Sequence, residues 1–237
     1  MSVRNDLALY ETNAGLWWDR DDRFFRSLRS VGEFHLALLR REWAGAIEGA
    51  RLADLGCGGG FLSLALADLG AEVVGVERSS ASVRAAREEA RRRGSSARFL
   101  CGDLYVAPLD TADFDLVLMS DVLEHLDHPA AALREAARLL RPGGRLFLNT
   151  FDRTAMSALT VVHLAEGLGL VPRGTHDPRL FVRPEELRTF AAEAGLELEE
   201  VVRERPDLLR TLRTWSVHLT EASSGPGYSA FLTRRAS

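Results

Sequence analysis

Leu52-Ala53-Asp54-Leu55-Gly56-Cys57-Gly58-Gly59-Gly60-Phe61 leaves an apolar strand, turns on glycine and enters a helix. Glycine tolerates positive φ and carries no side chain, so backbone can approach a ligand beside the positive end of the helix that follows. Two familiar readings of such a turn fail. A dinucleotide fingerprint needs glycine where Phe61 stands, and a phosphate loop needs a lysine, whereas all 30 basic residues of the chain are arginine. Asp54, just before the glycines, repels pyrophosphate and suits a cationic amino group.

Outward from this turn, short apolar runs alternate with amphipathic stretches. The pattern predicts strands over 51–55, 72–77, 97–101, 114–119 and 145–150, with helices over 60–69, 80–93 and 129–140. Gly94 ends one helix, Pro129 opens another, and Arg141-Pro142-Gly143-Gly144 stops the third and turns into a strand. Strands joined by crossover helices argue for an α/β, Rossmann-like fold with a mostly parallel sheet. Later the order breaks: a helix over 155–169, a loop over 172–183, a helix from Pro184 to 194 and a strand over 197–204. Tyr228 to Thr233 is expected to pair back as a last antiparallel strand. Without repeats or linkers, the 237 residues read as one domain: a helical cap over 1–48, a core over 49–151, a helical, lid-like insert over 152–183 and the rest of the sheet over 184–237.

Composition narrows the function. Hydrophobic residues at 46%, charged residues at 27% and a net charge of −4 describe an ordinary globular chain and argue against a nucleic-acid partner. The lack of lysine removes Schiff-base chemistry. Cys57 and Cys101, the two cysteines, suit neither a disulfide framework nor a zinc site, so a reducing cytoplasm is the expected location. The amino-terminal residues lack the apolar stretch of a secretory signal, and no run of about 20 apolar residues follows.

Three acidic residues fall at strand ends. Glu77 closes the second strand, where a carboxylate accepts both hydroxyls of a ribose. Asp103, in Cys101-Gly102-Asp103-Leu104, suits the exocyclic amine of an adenine, with Leu104 against the ring. With Asp54 on an amino group, the three describe S-adenosylmethionine. The expected contact set is Trp18, Asp54, Gly56, Cys57, Gly58, Glu77, Arg78, Asp103, Leu104 and Ser120. The D-L-G-C-G-G-G run, the acidic tip at Glu77, Gly102-Asp103 and the R-P-G-G turn resemble class I S-adenosylmethionine-dependent methyltransferases.

A narrower likeness covers nearly the whole chain. Trp17-Trp18-Asp19, Asp121-Val122-Leu123-Glu124-His125, Asp152-Arg153-Thr154, Val171-Pro172-Arg173-Gly174-Thr175-His176-Asp177 and Phe181-Val182-Arg183-Pro184-Glu185-Glu186-Leu187 resemble the ubiquinone-biosynthesis O-methyltransferases. Asp121 stands where that family has Glu, and Asp152 where it has Asn. His35 stands in place of an early Arg that the resemblance links to the cofactor's carboxylate. The resemblance implies an O-methyltransferase acting on a phenol or catechol of a quinone precursor or an aromatic secondary metabolite. Methylation of a nitrogen or a sugar hydroxyl is the alternative, and a non-catalytic module that binds the cofactor is another.

Asp121, Glu124 and His125 have i, i+3, i+4 spacing, which puts them on one face of a helical turn. Two carboxylates and an imidazole suit Mg²⁺ or Mn²⁺, as the resemblance also implies. His125 alternatively serves as general base, with His176 and Asp177 as a second candidate. The insert's Leu159, Val162, Leu164, Leu168 and Leu170 suit a lid over an apolar substrate, a peripheral membrane contact through 155–171, or a helix packed on the core.

Overall fold

The computed structural model describes Asn5 and residues 7–236; residues 1–4 and 6 of the expected cap, and Ser237, lie outside the described residues. Among the described residues, eight strands form one sheet: β1 (Arg51–Leu55), β2 (Glu72–Glu77), β3 (Arg98–Cys101), β4 (Phe114–Met119), β5 (Leu140–Phe151), β6 (Leu196–Pro206), β7 (Leu219–Glu221) and β8 (Gly227–Arg234). Their order is β3-β2-β1-β4-β5-β8-β6-β7. β1 to β5 pair in parallel, and β8 inserts antiparallel between β5 and β6. The mostly parallel sheet with a late antiparallel strand was expected. β7, which adds a second antiparallel pairing at the edge of β6, was not.

The strands alternate between two apolar faces, because a crossover sheet is covered on both sides. Leu52, Leu116, Leu118 and Phe147 face one cluster with Leu38, Leu39, Leu64 and Val83. These come from α2 (Arg23–Glu42), α3 (Phe61–Ala67) and α4 (Ser80–Arg93). Ala53, Val117, Met119, Leu146 and Leu148 face a second cluster with Leu133, Ala136, Leu187 and Ala191, from α5 (Pro129–Leu139) and α7 (Pro184–Glu193). A short α1 (Ala8–Thr12) precedes them. Capping matches the sequence signals: Ser79 accepts from the Ser82 N–H at 3.0 Å, Gly94 adopts φ 67 after α4, and Pro129 opens α5.

Three local expectations need correction. The R-P-G-G turn does not separate helix from strand but sits inside β5 as a bulge, since Phe114 pairs with Leu140 and Leu116 already pairs with Arg145. The insert is not an α-helix throughout. After α6 (Ala155–Ser157) it widens into a π-helix over Ala158–Ala165, where consecutive β-branched Thr160, Val161 and Val162 crowd the preceding turn. The unforeseen α8 (Leu208–Thr214) follows β6. The insert's inner face, Val161 and Val162, packs with Phe181 and Phe151. Met156, Leu159, Leu164 and Leu168 stay exposed, as do Leu208, Leu209 and Leu212 of α8. No described helix is long and apolar enough to cross a membrane.

Candidate active site

Parallel strands bring their carboxyl ends to one edge, and the loops there build a cavity of about 520 Å³, a size common for small-molecule sites. Its wall includes Asp54, Gly56, Cys57, Gly58, Glu77, Arg78, Asp103, Leu104, Ser120, Asp121 and His125. Most of the expected contact set is thus brought together. The glycine turn hangs from β2, with the Gly56 and Cys57 N–H groups both donating to the Val76 carbonyl. The glycines have a second reason besides ligand approach. A Cβ on Gly58 or Gly59 would fall within 2.6 Å of the Trp17 ring, which lies on the turn.

Each acid is already oriented. Asp54 is buried and accepts from Ser63 Oγ at 2.5 Å; burial, assisted by Glu77, raises its carboxyl to about 6. Glu77 accepts from the N–H groups of Gly58 (3.1 Å) and Ser79 (2.7 Å), which fixes its plane. Desolvation still lifts its pKa above the ordinary value. Asp103 Oδ1 accepts from the Tyr105 N–H at 2.9 Å, and Oδ2 makes no hydrogen bond among the described residues.

Two expected contacts stand elsewhere. Trp18 does not line the cavity: its Nε1 donates to the Gly59 carbonyl at 3.1 Å and its ring lies under Arg93. Its neighbour Trp17 does line it, stacked on Tyr10 with centroids 5.8 Å apart. His35 is fully buried behind the wall, its Nδ1 3.2 Å from Ser120 Oγ and its Nε2 3.4 Å from Glu204. Burial opposes its charge, but the Glu204 carboxylate outweighs that and raises its pKa. The basic group α2 gives to the cavity is Arg29, whose Nη1 and Nη2 donate to the Trp17 and Asp19 carbonyls, both at 2.6 Å. Leu28, Arg29 and Gly32 share the cavity face of α2, a helical spacing visible in the sequence, whereas His35 falls past it. Tyr10 and Asn149 were also missed; a long-range contact is needed to see them.

The Asp121–His125 turn differs from its expected form. Asp121 takes φ 55 and Leu123–His125 form a 3₁₀ turn, so the three side chains do not share an α-helical face. Asp121 Oδ1 accepts from Asn149 Nδ2 at 2.7 Å, while Asn149 Oδ1 accepts from the Asp121 N–H and from Ser120 Oγ. Glu124 is buried off the cavity wall, and burial with the nearby Asp121 charge pushes its pKa up. His125 faces the cavity; burial lowers its pKa to about 4, though Asp121 opposes the shift. Its ring stacks on His176, which burial lowers to about 3. His176 and Asp177 are not part of the cavity wall, and Asp177 is held in a fork by Arg179. Among the described residues no three His, Cys, Asp or Glu side chains form a group able to hold a metal ion. Asp121 is bound to Asn149 and Glu124 sits behind the wall, so the expected metal set does not fit.

Sheet order, glycine turn and acidic strand tips define a class I methyltransferase, and residues 53–148 match the methyltransferase domain family. Solved structures agree on the fold. Magnesium protoporphyrin IX methyltransferase from Synechocystis, with bound SAH, superposes with a TM-score of 0.68 at 21% identity over 97% of this chain and 95% of that one. A possible histamine N-methyltransferase from Thermotoga maritima does so with 0.68 at 22% identity, over 96% and 99%. Relatives named ubiquinone biosynthesis O-methyltransferase are nearer in sequence. That of Pseudomonas aeruginosa is 36% identical over 203 residues, 83% of this chain and 84% of the relative. That of Thiobacillus denitrificans is 37% identical over 201 residues, with 83% and 84% covered. The chain belongs to the ubiquinone biosynthesis O-methyltransferase family.

Proposed function

We propose that the chain transfers a methyl group from S-adenosylmethionine to a phenolic hydroxyl of a quinone precursor, without a metal ion. The observation that carries this reading is the uncharged His125 imidazole on the same cavity wall as Asp54, Glu77 and Asp103. The relatives' names point to the same acceptor class.

The cofactor, when bound, supplies an already activated methyl on sulfur, so the protein's task is alignment and proton removal. Glu77, its plane set by two backbone N–H groups, accepts the ribose hydroxyls. Asp103 Oδ2 takes the adenine amine beside Leu104. Asp54 receives the amino group, and Arg29, rather than His35, meets the carboxylate. Trp17 covers the glycine turn. Burial keeps His125 neutral near pH 7, so a lone pair is available there. A phenol's proton becomes strongly acidic only as the carbon–oxygen bond forms, so a weak base takes it late in the transition state. The Asp121 carboxylate then favours the imidazolium. Exhaustive chelation should leave turnover intact, while His125→Ala should lower kcat by about 10²–10⁴. Turnover lost on chelation and restored by Mg²⁺ would overturn the metal-free reading.

The acceptor's apolar part enters from the side of the insert and α8. β6 runs parallel to β5, so both elements leave the same sheet edge that holds the cavity. Leu159 and Leu164 are half exposed and Leu209 is 85% exposed, with Arg210 and Arg213 beside it. We infer peripheral contact with an anionic bilayer through these residues.

A further inference from the structure

Two aromatic neighbours fix the plane of the His125 ring: His176 stacks at 5.5 Å, and Tyr10 meets it edge-on with centroids 6.5 Å apart. Such contacts are indifferent to which nitrogen carries the proton. One side chain is not. Asn5 Nδ2 donates to the His125 carbonyl at 3.0 Å, and Asn5 Oδ1 lies 2.7 Å from His125 Nδ1. The first bond orients the amide, because only its nitrogen can donate to a carbonyl. The oxygen is then the atom facing the ring, and it can only accept. Nδ1 must therefore carry the proton, which leaves Nε2 as the ring's acceptor.

We propose that Asn5 is a positioning residue that holds His125 in the Nδ1-protonated tautomer, with Nε2 free to take the acceptor's proton. The proposal rests on the reading of His125 as proton acceptor. The sequence suits the task. Asn5 has φ 60, a left-handed conformation that asparagine tolerates better than most residues. The segment it starts is anchored: Glu11 of α1 accepts from Ser79 Oγ at 2.6 Å and from the Ala81 N–H at 3.3 Å, at the start of α4. Leu7, Ala8 and Tyr10 of this segment line the cavity. The element that roofs the cavity thus also sets the base.

The test is nitrogen-15 NMR of the histidine rings in the full chain at pH 8, with His125→Gln assigning the resonance. Asn5→Ala should move His125 toward the Nε2-protonated form. Asn5→Asp keeps an acceptor on Nδ1 and should preserve the native pattern. The alanine variant should lose about 10–100-fold in kcat with little change in cofactor KM, and the aspartate variant should recover part of it. An unchanged His125 tautomer in Asn5→Ala overturns the proposal. Full turnover by His125→Gln would instead sink the proton-acceptor reading, and the NMR result would still decide what Asn5 does.

Discussion

The imidazoles of His125 and His176 stack with centroids 5.5 Å apart and planes 18° from parallel, one at the cavity wall and one behind it. Two neutral rings tolerate that arrangement. Two imidazolium ions would not, and burial lowers both pKa values, to about 4 and about 3.

This pair should make the fold sensitive to mild acid. The unfolded chain protonates both rings near pH 6.5, whereas the native chain resists until about pH 4 or below. Between those values the unfolded state binds more protons, so stability falls as pH falls. At about 1.4 kcal/mol per pH unit, the His125 shift alone amounts to on the order of 3 kcal/mol by pH 4. Urea unfolding at pH 7.5 and 4.5 should show the loss, and His176→Asn should reduce it. An equal slope in that variant would mean other groups govern the acid limb.

Cofactor affinity separates two basic residues of α2, Arg29 and His35. Arg29→Ala removes the guanidinium at the cavity and should weaken S-adenosylhomocysteine binding about tenfold or more, since a charged hydrogen bond is worth about 1.5–3 kcal/mol. Glu77→Ala should act at least as strongly through the loss of the two ribose bonds proposed for it. His35→Gln removes the imidazole facing the buried Glu204 carboxylate, leaving it the Ser229 hydroxyl, and should lower Tm more than affinity. Calorimetric titration beside thermal melts checks this. Wild-type affinity in Arg29→Ala would return the carboxylate role to another group.

What could be read from the chain, and what could not, divides along range of interaction. β1, β2 and β3 and their acidic tips obey local periodicity, and Asp54, Glu77 and Asp103 reach one cavity because parallel strands must end at one edge. His35 lies behind the wall because helical phase, not motif register, decides which side chain of α2 faces the cavity. Asp121, Glu124 and His125 do not share a helical face because Asp121 turns left-handed ahead of a 3₁₀ turn, where i, i+3, i+4 spacing is not α-helical. Asn5 and Asn149 act on residues 120 and 28 positions away, and no local pattern announces such pairs.

The insert should open more readily than the sheet beneath it. Its π-helix buries little beyond Val161 and Val162, whereas the loop behind it is tied by Glu166 to the Gly174 and His176 N–H groups. Hydrogen exchange should therefore find 155–168 exchanging well before β4 and β5, and 174–182 protected between the two. Uniform protection across 152–183 would favour a helix packed permanently on the core over a lid.

Membrane contact should require apolar and basic groups together. Leu208, Leu209 and Leu212 each expose more than half their surface, and Arg210 and Arg213 sit among them, with no acidic residue between Leu208 and Thr220. Burying apolar side chains supplies affinity at about 25 cal/mol per Å², while arginines add about 1 kcal/mol each at an anionic surface. The chain should therefore cosediment with vesicles containing phosphatidylglycerol and much less with phosphatidylcholine alone. Leu209→Glu with Leu212→Glu should abolish that, and Leu159→Glu with Leu164→Glu should weaken it. Because these side chains face solvent, the variants should melt near the wild-type temperature and keep turnover of a short, water-soluble phenol. Binding that survives both pairs of changes would place the membrane contact on another face.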